Sequence, residues 1–293
     1  MTSPARTNGL RFEVACLWEA AARKVGNVHP GASFNGLDFV HFAVSGAAAE
    51  FVFHHAAGQS VGLIVSHAVE ATVSMIGSNT NLGIILLVAP LAVADTPLDF
   101  RGRVHGVVRD LTVNDTRLVY DAIRRANPGG LGEAAEHDVR DEPTVTLLEA
   151  MKLAADRDMV ARQYANGFAD VFDFGVPAFL DGFARFGCVE AAIIESQFRW
   201  LAEYPDSLIA RKNGPAVAED VRRRAADVLR LGGIGTPEGR RAGVALDKHL
   251  RSDGNKLNPG TTADLITACL FVALREDKVK PSAPFRWHVE DWL

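Results

Sequence analysis

The sequence predicts an all-α protein, and three observations lead to this prediction. Apolar residues recur at intervals of three and four along most of the chain, which is the spacing of one helical face. Alternating strand patterns are nearly absent; residues 104–113 are ambiguous, and we predict a loop or short helix there. No Pro/Gly/Ser-rich linker or internal repeat divides the 293 residues, so we predict one multi-helix domain over 1–293.

The predicted helices follow one another along the whole chain. Phe12, Leu17 and Trp18 share one face of a first amphipathic helix, which Gly26 closes. The same spacing predicts nine further helical segments: 38–56, 60–76, 81–94, 115–126, 145–174, 178–203, 215–231, 237–251 and 259–275.

Two of these segments are expected at the centre of the fold. Segments 60–76 and 81–94 are apolar over much of their circumference, whereas 145–165 and 217–230 are charged and are expected outside. Large apolar helix faces are also compatible with a homodimer.

Composition excludes several classes of function. The net charge of -5 provides no basic excess for a nucleic-acid partner. The most apolar run, 82–94, is shorter than a membrane-spanning helix requires, so we predict no membrane partner. Three widely spaced cysteines, Cys16, Cys188 and Cys269, are typical of reduced thiols, so we predict a cytoplasmic protein.

Common enzyme signatures are missing from the sequence. It contains no Walker A motif, H-E-x-x-H, C-x-x-C or G-x-S-x-G. The glycine-rich run at 232–239 lacks the preceding strand of a dinucleotide site, so we predict an interhelical turn. His54 and His55 lack a spaced third ligand, which favours a satisfied or surface pair over a metal site.

Polar residues concentrate in five turns between the predicted helices. The first two regions contribute Lys24, Gly26, Asn27, His29, Asp38 and His41, then Asn79, Thr80, Asn81 and Gly83. Asn79 and Asn81 flank a helix start whose free amides and dipole could hold an anion, and Gly83 would allow close approach. Simple helix capping is the alternative for either asparagine.

The later turns add carboxylates and cations. The third, around 127–132, is flanked by Asp110 and Asp138, which could bind Mg²⁺ or could be solvated capping aspartates. The last two turns contribute Asp206, Arg211 and Lys212, then Asn258, Gly260, Thr261 and Asp264. In the fifth turn the amides at the helix start predict a phosphate cradle. Together, the five turns favour a shared pocket for a highly phosphorylated small molecule.

At these residues the chain resembles the triphosphoribosyl-dephospho-CoA synthase family, helical enzymes that make the prosthetic-group precursor of citrate lyase and malonate decarboxylase. The matching segments are 24–29 for the lysine-proline-glycine turn, 38–45 for the downstream aspartate segment, 77–83 for G-x-N-T-x-x-G, 206–214 for the aspartate-led basic turn, and 259–265 for P-G-x-x-A-D-L.

Two substitutions depart from the family pattern. Val25 stands where the family usually has proline, and Leu82 where the citrate-lyase branch tends to have lysine. Segments 128–132 and 258–262 look more like the divergent archaeal-type branch. Homologues in organisms with tetrahydromethanopterin-type carriers keep open an alternative role in one-carbon cofactor synthesis. A non-catalytic nucleotide-binding protein is a further alternative.

The resemblance implies a glycosyl transfer from ATP. The triphosphoribosyl group would move to the ribose 2′-hydroxyl of dephospho-CoA with release of adenine, by a single inverting displacement. The implied roles are Asp38 or Asp206 as base, His29 or His41 as proton donor, and Lys24, Arg211 and Lys212 on phosphates. Mg²⁺ would bridge phosphate oxygens and one or two of Asp110, Asp138, Asp206 and Asp264.

Overall fold

The computed structural model describes residues 7–34, 36–94, 96, 98–129, 136–254 and 256–293. Within these ranges it contains fourteen α-helices, one π-helix and one 3₁₀-helix, and only two isolated β-bridges in place of a sheet. The all-α prediction is therefore confirmed. The assignment of one domain to the whole chain stays a prediction.

The helices are distributed along the entire described chain. Their bounds are α1 Asn8–Ala21, α2 Phe39–His54, α3 Val61–Ile76, α4 Leu82–Val93, α5 Phe100–Arg109, α6 Val113–Ala126, α7 Leu147–Ala154, α8 Met159–Ala165, α9 Val176–Phe186, α10 Val189–Glu203, α11 Ser207–Asn213, α12 Pro215–Arg230, α13 Pro237–Arg251 and α14 Gly260–Arg275. The π-helix is Asp170–Gly175, and the 3₁₀-helix is Gly233–Gly235.

Two predicted helices are divided by their own capping residues. The segment 145–174 separates into α7, α8 and the π-helix, and the Asp158 carboxylate begins α8 by accepting the amides of Val160 and Ala161 at 2.8 and 3.2 Å. The segment 178–203 separates at Gly187, whose φ of 64° is the left-handed conformation that ends α9.

The ambiguous segment 104–113 is mainly helical. Most of it belongs to α5, and Thr112 then begins α6 through a capping box with Asp115. The turn predicted at 206–214 also contains a helix, α11. Both segments form short helices that are bounded by capping residues. Apolar periodicity predicts short helices poorly, because few helical turns contribute to the pattern.

The centre of the fold is formed by α4, α10 and α14. Eleven of the twelve residues of α4 are buried, as the sequence predicts, and thirteen of the sixteen residues of α14 are buried. The expectation of a central position is only partly met for α3, which buries seven of its sixteen residues. The charged helices α7 and α12 lie outside, with one and four buried residues.

The central helix α14 determines where the polar turns meet. It packs against α1, α4, α10 and α11, so the starts of α4 and α14 lie near the end of α1 and the short α11. No helix in the described ranges is long and apolar enough to cross a membrane.

Candidate active site

A cavity of about 540 Å³ opens beside the N-terminal ends of α4, α8, α11 and α14. Each of the five polar turns contributes to its wall. The predicted site residues that line it are Asn27, Asn79, Thr80, Gly83, Asp138, Arg211, Lys212, Asn258, Gly260, Thr261 and Asp264. The structure therefore brings these residues together, although residues 130–132 of the third turn lie outside the described ranges.

Eight predicted site residues do not line the cavity, and their own contacts account for their positions. They are Lys24, Gly26, His29, Asp38, His41, Asn81, Asp110 and Asp206.

Lys24 is fully buried, and its ammonium group is occupied. It pairs with the Glu19 carboxylate at 2.9 Å and donates to the backbone oxygens of Glu19 and, at 3.3 Å, Ala22. A lysine has three donors, and all three are taken here. Its predicted contact with phosphate is therefore not supported by its position.

The two predicted histidines differ in their surroundings. His29 is buried, its Nδ1 accepts the Gly31 amide at 3.1 Å, and burial together with the charges of Arg251 and Lys24 lowers its pKa to about 4. A neutral imidazole is a poor proton donor at neutral pH.

His41 lies at the surface with Asp38. The Asp38 carboxylate accepts the amides of Val40 and His41 at 2.9 and 3.2 Å, and it contacts the His41 ring at 2.7 Å. These bonds lower the pKa of Asp38, with the His41 side chain as the largest cause. The pair forms a capping box that begins α2.

Asp206 is buried between two helix starts. One carboxylate oxygen accepts the amides of Leu208 and Ile209 at 2.9 and 3.0 Å, and the other accepts the amide and hydroxyl of Thr262 at 2.8 Å each. Burial raises the pKa of Asp206, and the bonds from Thr262, Ile209 and Leu208 oppose that rise. The carboxylate therefore joins α11 to α14.

Of the two amides predicted to form a cradle at the start of α14, those of Gly260 and Thr261, the first is occupied. The Thr262 amide binds Asp206, and the Gly260 amide donates to the Asn258 carbonyl at 2.9 Å. At the start of α4, the Asn79 side chain accepts the Leu82 amide at 3.1 Å, whereas Asn81 makes no capping bond. Of the two interpretations of Asn79, helix capping and anion binding, the structure therefore agrees with helix capping.

The turn after α1 is anchored by residues that the sequence did not single out. Gln197 on α10 donates to the Asn27 side chain at 2.8 Å, and Asp247 on α13 accepts the Gly26 amide at 2.7 Å. Asn27 in turn donates to Asn258 at 2.8 Å. Gln197 is fully buried, and because α10 also carries other polar and charged residues, the sequence offered no signal that distinguished it.

Asp264 lines the cavity one turn into α14. It makes no hydrogen bond or ion pair with a described residue, and its carboxylate lies against the backbone of Gly83, where an added Cβ would be 2.0 Å from Oδ2. Burial raises the pKa of Asp264 well above its usual value, the charges of Glu19, Asp206 and Asp158 add to the rise, and Arg211 opposes it.

Cationic groups line another part of the wall. Arg211 and Lys212 on α11 are joined there by Arg157, and Arg211 is ion-paired with Asp158. Sequence reasoning missed Glu19, Arg157 and Asp158. Glu19 lies on an amphipathic helix, and the other two, which the structure places between α7 and α8, fall within the predicted 145–174 helix, so all three resemble an ordinary solvated face. An apolar section completes the wall and includes Tyr120, Ile123, Leu147 and Met151.

Of the four aspartates from which one or two metal ligands were predicted, Asp138 and Asp264 line the cavity and the other two do not. Asp110 lies at the surface beside Arg109 at 2.9 Å, Asp138 is paired with Arg140 at 2.7 Å, and Asp206 is enclosed. Among the described residues there is no cluster of three or more His, Cys, Asp or Glu side chains suited to a metal ion. Within the described ranges, His54 and His55 belong to no such cluster either.

Comparison with known proteins finds relatives of the chain in one family. The curated relatives include two proteins provisionally named 2-(5″-triphosphoribosyl)-3′-dephosphocoenzyme-A synthase. The Pseudomonas putida protein is 33% identical over 113 residues, which is 38% of this chain and 40% of the relative. The Pseudomonas savastanoi pv. phaseolicola protein is 31% identical over 115 residues, 39% of each chain. The match thus spans about 40% of the length of these relatives.

A solved structure extends the similarity to most of the chain. It is a protein from Archaeoglobus fulgidus provisionally named triphosphoribosyl-dephospho-CoA synthase, with a TM-score of 0.62 and 27% identity over 80% of this chain and 98% of the other. The ATP:dephospho-CoA triphosphoribosyl transferase family matches residues 5–282. The chain therefore belongs to the ATP:dephospho-CoA triphosphoribosyl transferase family.

Proposed function

We propose that the protein transfers the triphosphoribosyl group of ATP to a hydroxyl of dephospho-CoA and releases adenine. The observation that carries this proposal is the division of one cavity into a cationic section, an apolar section and a section with unpartnered carboxylate oxygens. A volume of about 540 Å³ lies within the range of small-molecule sites.

The cationic section suits a triphosphate. Arg157, Arg211 and Lys212 provide positive charge on one wall, and Lys212 makes no ion pair with a described residue. The positive dipole ends of α4, α8 and α14 lie at the same cavity and add to this field. Charge-assisted hydrogen bonds from guanidinium groups to phosphate are among the strongest available to a protein.

The apolar section suits an uncharged ring. Tyr120, Ile123, Leu147 and Met151 can pack against the faces of a purine, and burial of apolar surface stabilises the complex by roughly 25 cal/mol per Å². An adenine bound there could leave after the N-glycosidic bond breaks. The same surface would also accept an apolar part of the acceptor.

Glycosyl transfer requires negative charge near the sugar, because breaking the bond to adenine builds positive charge at the anomeric carbon. Glu19 offers a carboxylate at the cavity, whereas the raised pKa of Asp264 favours its neutral form until a cation binds beside it. The predicted acid and base roles of Asp38, Asp206, His29 and His41 receive no support from their positions outside the cavity. Asp206 instead supports the two helices that present Arg211 and Asp264.

We propose that the cavity also binds Mg²⁺. The donor set fits one modest role for it: Asp264 has both oxygens free of protein partners, and its carboxylate is crowded by other negative charges. Mg²⁺ usually takes one or two carboxylates together with phosphate oxygens. Asp264 would hold such an ion, which would supply neutralising charge to the triphosphate. A cytoplasmic location and a homodimer also stay predictions.

Chromatography of a reaction with ATP, Mg²⁺ and dephospho-CoA, alongside a control without acceptor, tests the proposed function. We expect adenine and a phosphoribosylated CoA species in equal amounts, both dependent on the acceptor. Adenine formed only with a one-carbon carrier precursor would identify a different acceptor. ATP binding without any product would indicate a non-catalytic nucleotide-binding protein and would contradict the proposal.

A further inference from the structure

One member of a buried ion pair lines the cavity. Glu19, on the last turn of α1, is 5% exposed and lines the cavity, and Lys24 behind it is 0% exposed. The chain leaves α1 at Ala22 in an extended conformation and turns back, so the Lys24 ammonium reaches the Glu19 carboxylate at 2.9 Å. The ammonium also binds the carbonyls at the end of α1, where the helix dipole favours a cation.

A contribution to the stability of the fold is a weak explanation for the presence of this ion pair. Burying two charges costs about as much as their attraction returns, and apolar residues of similar size often stabilise a core equally well. The pair does fix the position of one carboxylate. Lys24 binds Oε1 of Glu19, and Oε2 has no hydrogen bond with a described residue. One oxygen is thus held by protein while the other remains available to the cavity.

The positions of Glu19 and the cationic side chains indicate which part of a bound nucleotide this oxygen would meet. Helix α14, which carries Asp264, packs against both α1 and α11, whereas α1 and α11 make no extensive contact with each other. Arg211 and Lys212 belong to α11 and Glu19 to α1. A nucleotide whose triphosphate lies against α11 would therefore place its ribose toward α14 and α1.

We propose that Glu19 is a catalytic residue whose carboxylate faces the anomeric carbon and stabilises its developing positive charge, and that Lys24 is a positioning residue that acts through Glu19. This proposal rests on the proposed function. As the bond from the anomeric carbon to adenine breaks, its electron pair leaves with adenine, which takes up one proton. The acceptor oxygen forms the new bond and loses one proton, while Glu19 keeps its charge and forms no bond.

The first experiment compares Glu19→Gln with Glu13→Gln, a matched change on α1 at a residue that does not line the cavity. A charge that acts mainly in the transition state should affect kcat rather than KM. We expect kcat for adenine release to fall about 100- to 1,000-fold in Glu19→Gln, with KM for ATP within about threefold. Glu13→Gln should match the unmodified protein. Equal kcat in the two variants would overturn the proposal.

The second experiment separates positioning from phosphate binding. Lys24→Met leaves Glu19 buried without its partner, so its melting temperature must be measured alongside that of Glu19→Gln/Lys24→Met, which removes both charges. If Lys24 acts through Glu19, the double variant has the same kcat as Glu19→Gln, because the effects do not add. A further rise in KM for ATP in the double variant would show that Lys24 binds phosphate and would overturn its positioning role.

A binding experiment remains decisive even if the acceptor is not dephospho-CoA. The probes are ribose 5-triphosphate and its cationic iminoribitol counterpart, which carries positive charge at the sugar ring. We expect the unmodified protein to prefer the cationic probe at least about tenfold, since such analogues resemble the transition state. Glu19→Gln should lose that preference and keep its affinity for ribose 5-triphosphate. An unchanged preference in Glu19→Gln would overturn the role of Glu19, whatever the fate of the proposed function.

Discussion

At the scale of single residues, the close approach of Asp264 to Gly83 is the most demanding feature of the cavity. A methyl group at Gly83 would lie 2.0 Å from Oδ2 of Asp264, so the carboxylate would have to move. We expect Gly83→Ala to lower the rate of adenine release about 10- to 100-fold, since small displacements of catalytic groups have effects of this size. Steady-state assays check this.

Gly106→Ala is the matched control, because Gly106 is also helical and an added Cβ there would meet no atom within 4 Å. It should leave activity unchanged and stabilise α5 by about 0.5–1 kcal/mol. Full activity in Gly83→Ala would show that the position of Asp264 against α4 is unimportant.

His29 provides a prediction about pH. Its pKa in the folded protein is about 4 against 6.5 for an unperturbed histidine, because of burial and the nearby Arg251 and Lys24. Between those values the unfolded chain binds a proton that the folded chain does not, so stability is lost as the pH falls from 6.5 toward 4. The loss attributable to His29 should be at most about 3 kcal/mol.

His29→Asn isolates this contribution, since an asparagine oxygen can still accept the Gly31 amide. Urea unfolding at pH values above and below this interval should show a smaller loss of stability in the variant. The same pH dependence in both proteins would mean that His29 has the same pKa in the folded and the unfolded chain, and would contradict this prediction.

At the scale of helices, Asp206 joins the starts of α11 and α14. In Asp206→Asn the amide nitrogen cannot accept the Thr262 amide, so we expect a loss of about 2 kcal/mol or more and a fall in melting temperature of several degrees. Asp99→Asn, which caps α5 with a single bond to Gly102, should cost less than about 0.5 kcal/mol. A hundredfold loss of turnover with unchanged stability would instead favour the predicted catalytic base.

The helices could be predicted from the sequence where several turns share a face, as in α4 and α14. The predicted helix boundaries were wrong where a single residue determines the local structure. Asp158 interrupts the predicted 145–174 helix by capping α8, and Gly187 interrupts 178–203 through its positive φ. Such effects depend on individual hydrogen bonds and dihedral angles, which apolar periodicity does not record.

At the scale of the whole molecule, the sequence could predict that the polar turns meet, because turns at the ends of packed helices tend to lie together. The sequence could not predict which residues of each turn line the cavity and which are directed into the protein. Lys24 has the residue type of a phosphate ligand and Asp206 that of a base or metal ligand, but the hydrogen bonds of both are directed into the protein. Glu19 has the residue type of a solvated helix face, but it lines the cavity.

The assembled cavity predicts that ATP stabilises the fold as a whole. A ligand that binds only the folded state at 100 times its Kd contributes about 2.7 kcal/mol, which should raise the melting temperature by roughly 5 °C. Lys212→Ala should reduce this shift, since Lys212 lines the cavity. Lys248→Ala, on α13 and outside the cavity, should not. Equal shifts in the two variants would place the triphosphate elsewhere.

The most direct test of the central claim uses ATP that carries radiocarbon in the adenine ring and radiophosphorus in the terminal phosphate. With dephospho-CoA as acceptor, transfer of the triphosphoribosyl group places the radiocarbon in free adenine and the radiophosphorus in the CoA-derived product, in equal molar amounts. Radiocarbon in ADP, or radiocarbon in the CoA-derived product, would show phosphoryl or nucleotidyl transfer and would contradict the proposed glycosyl transfer.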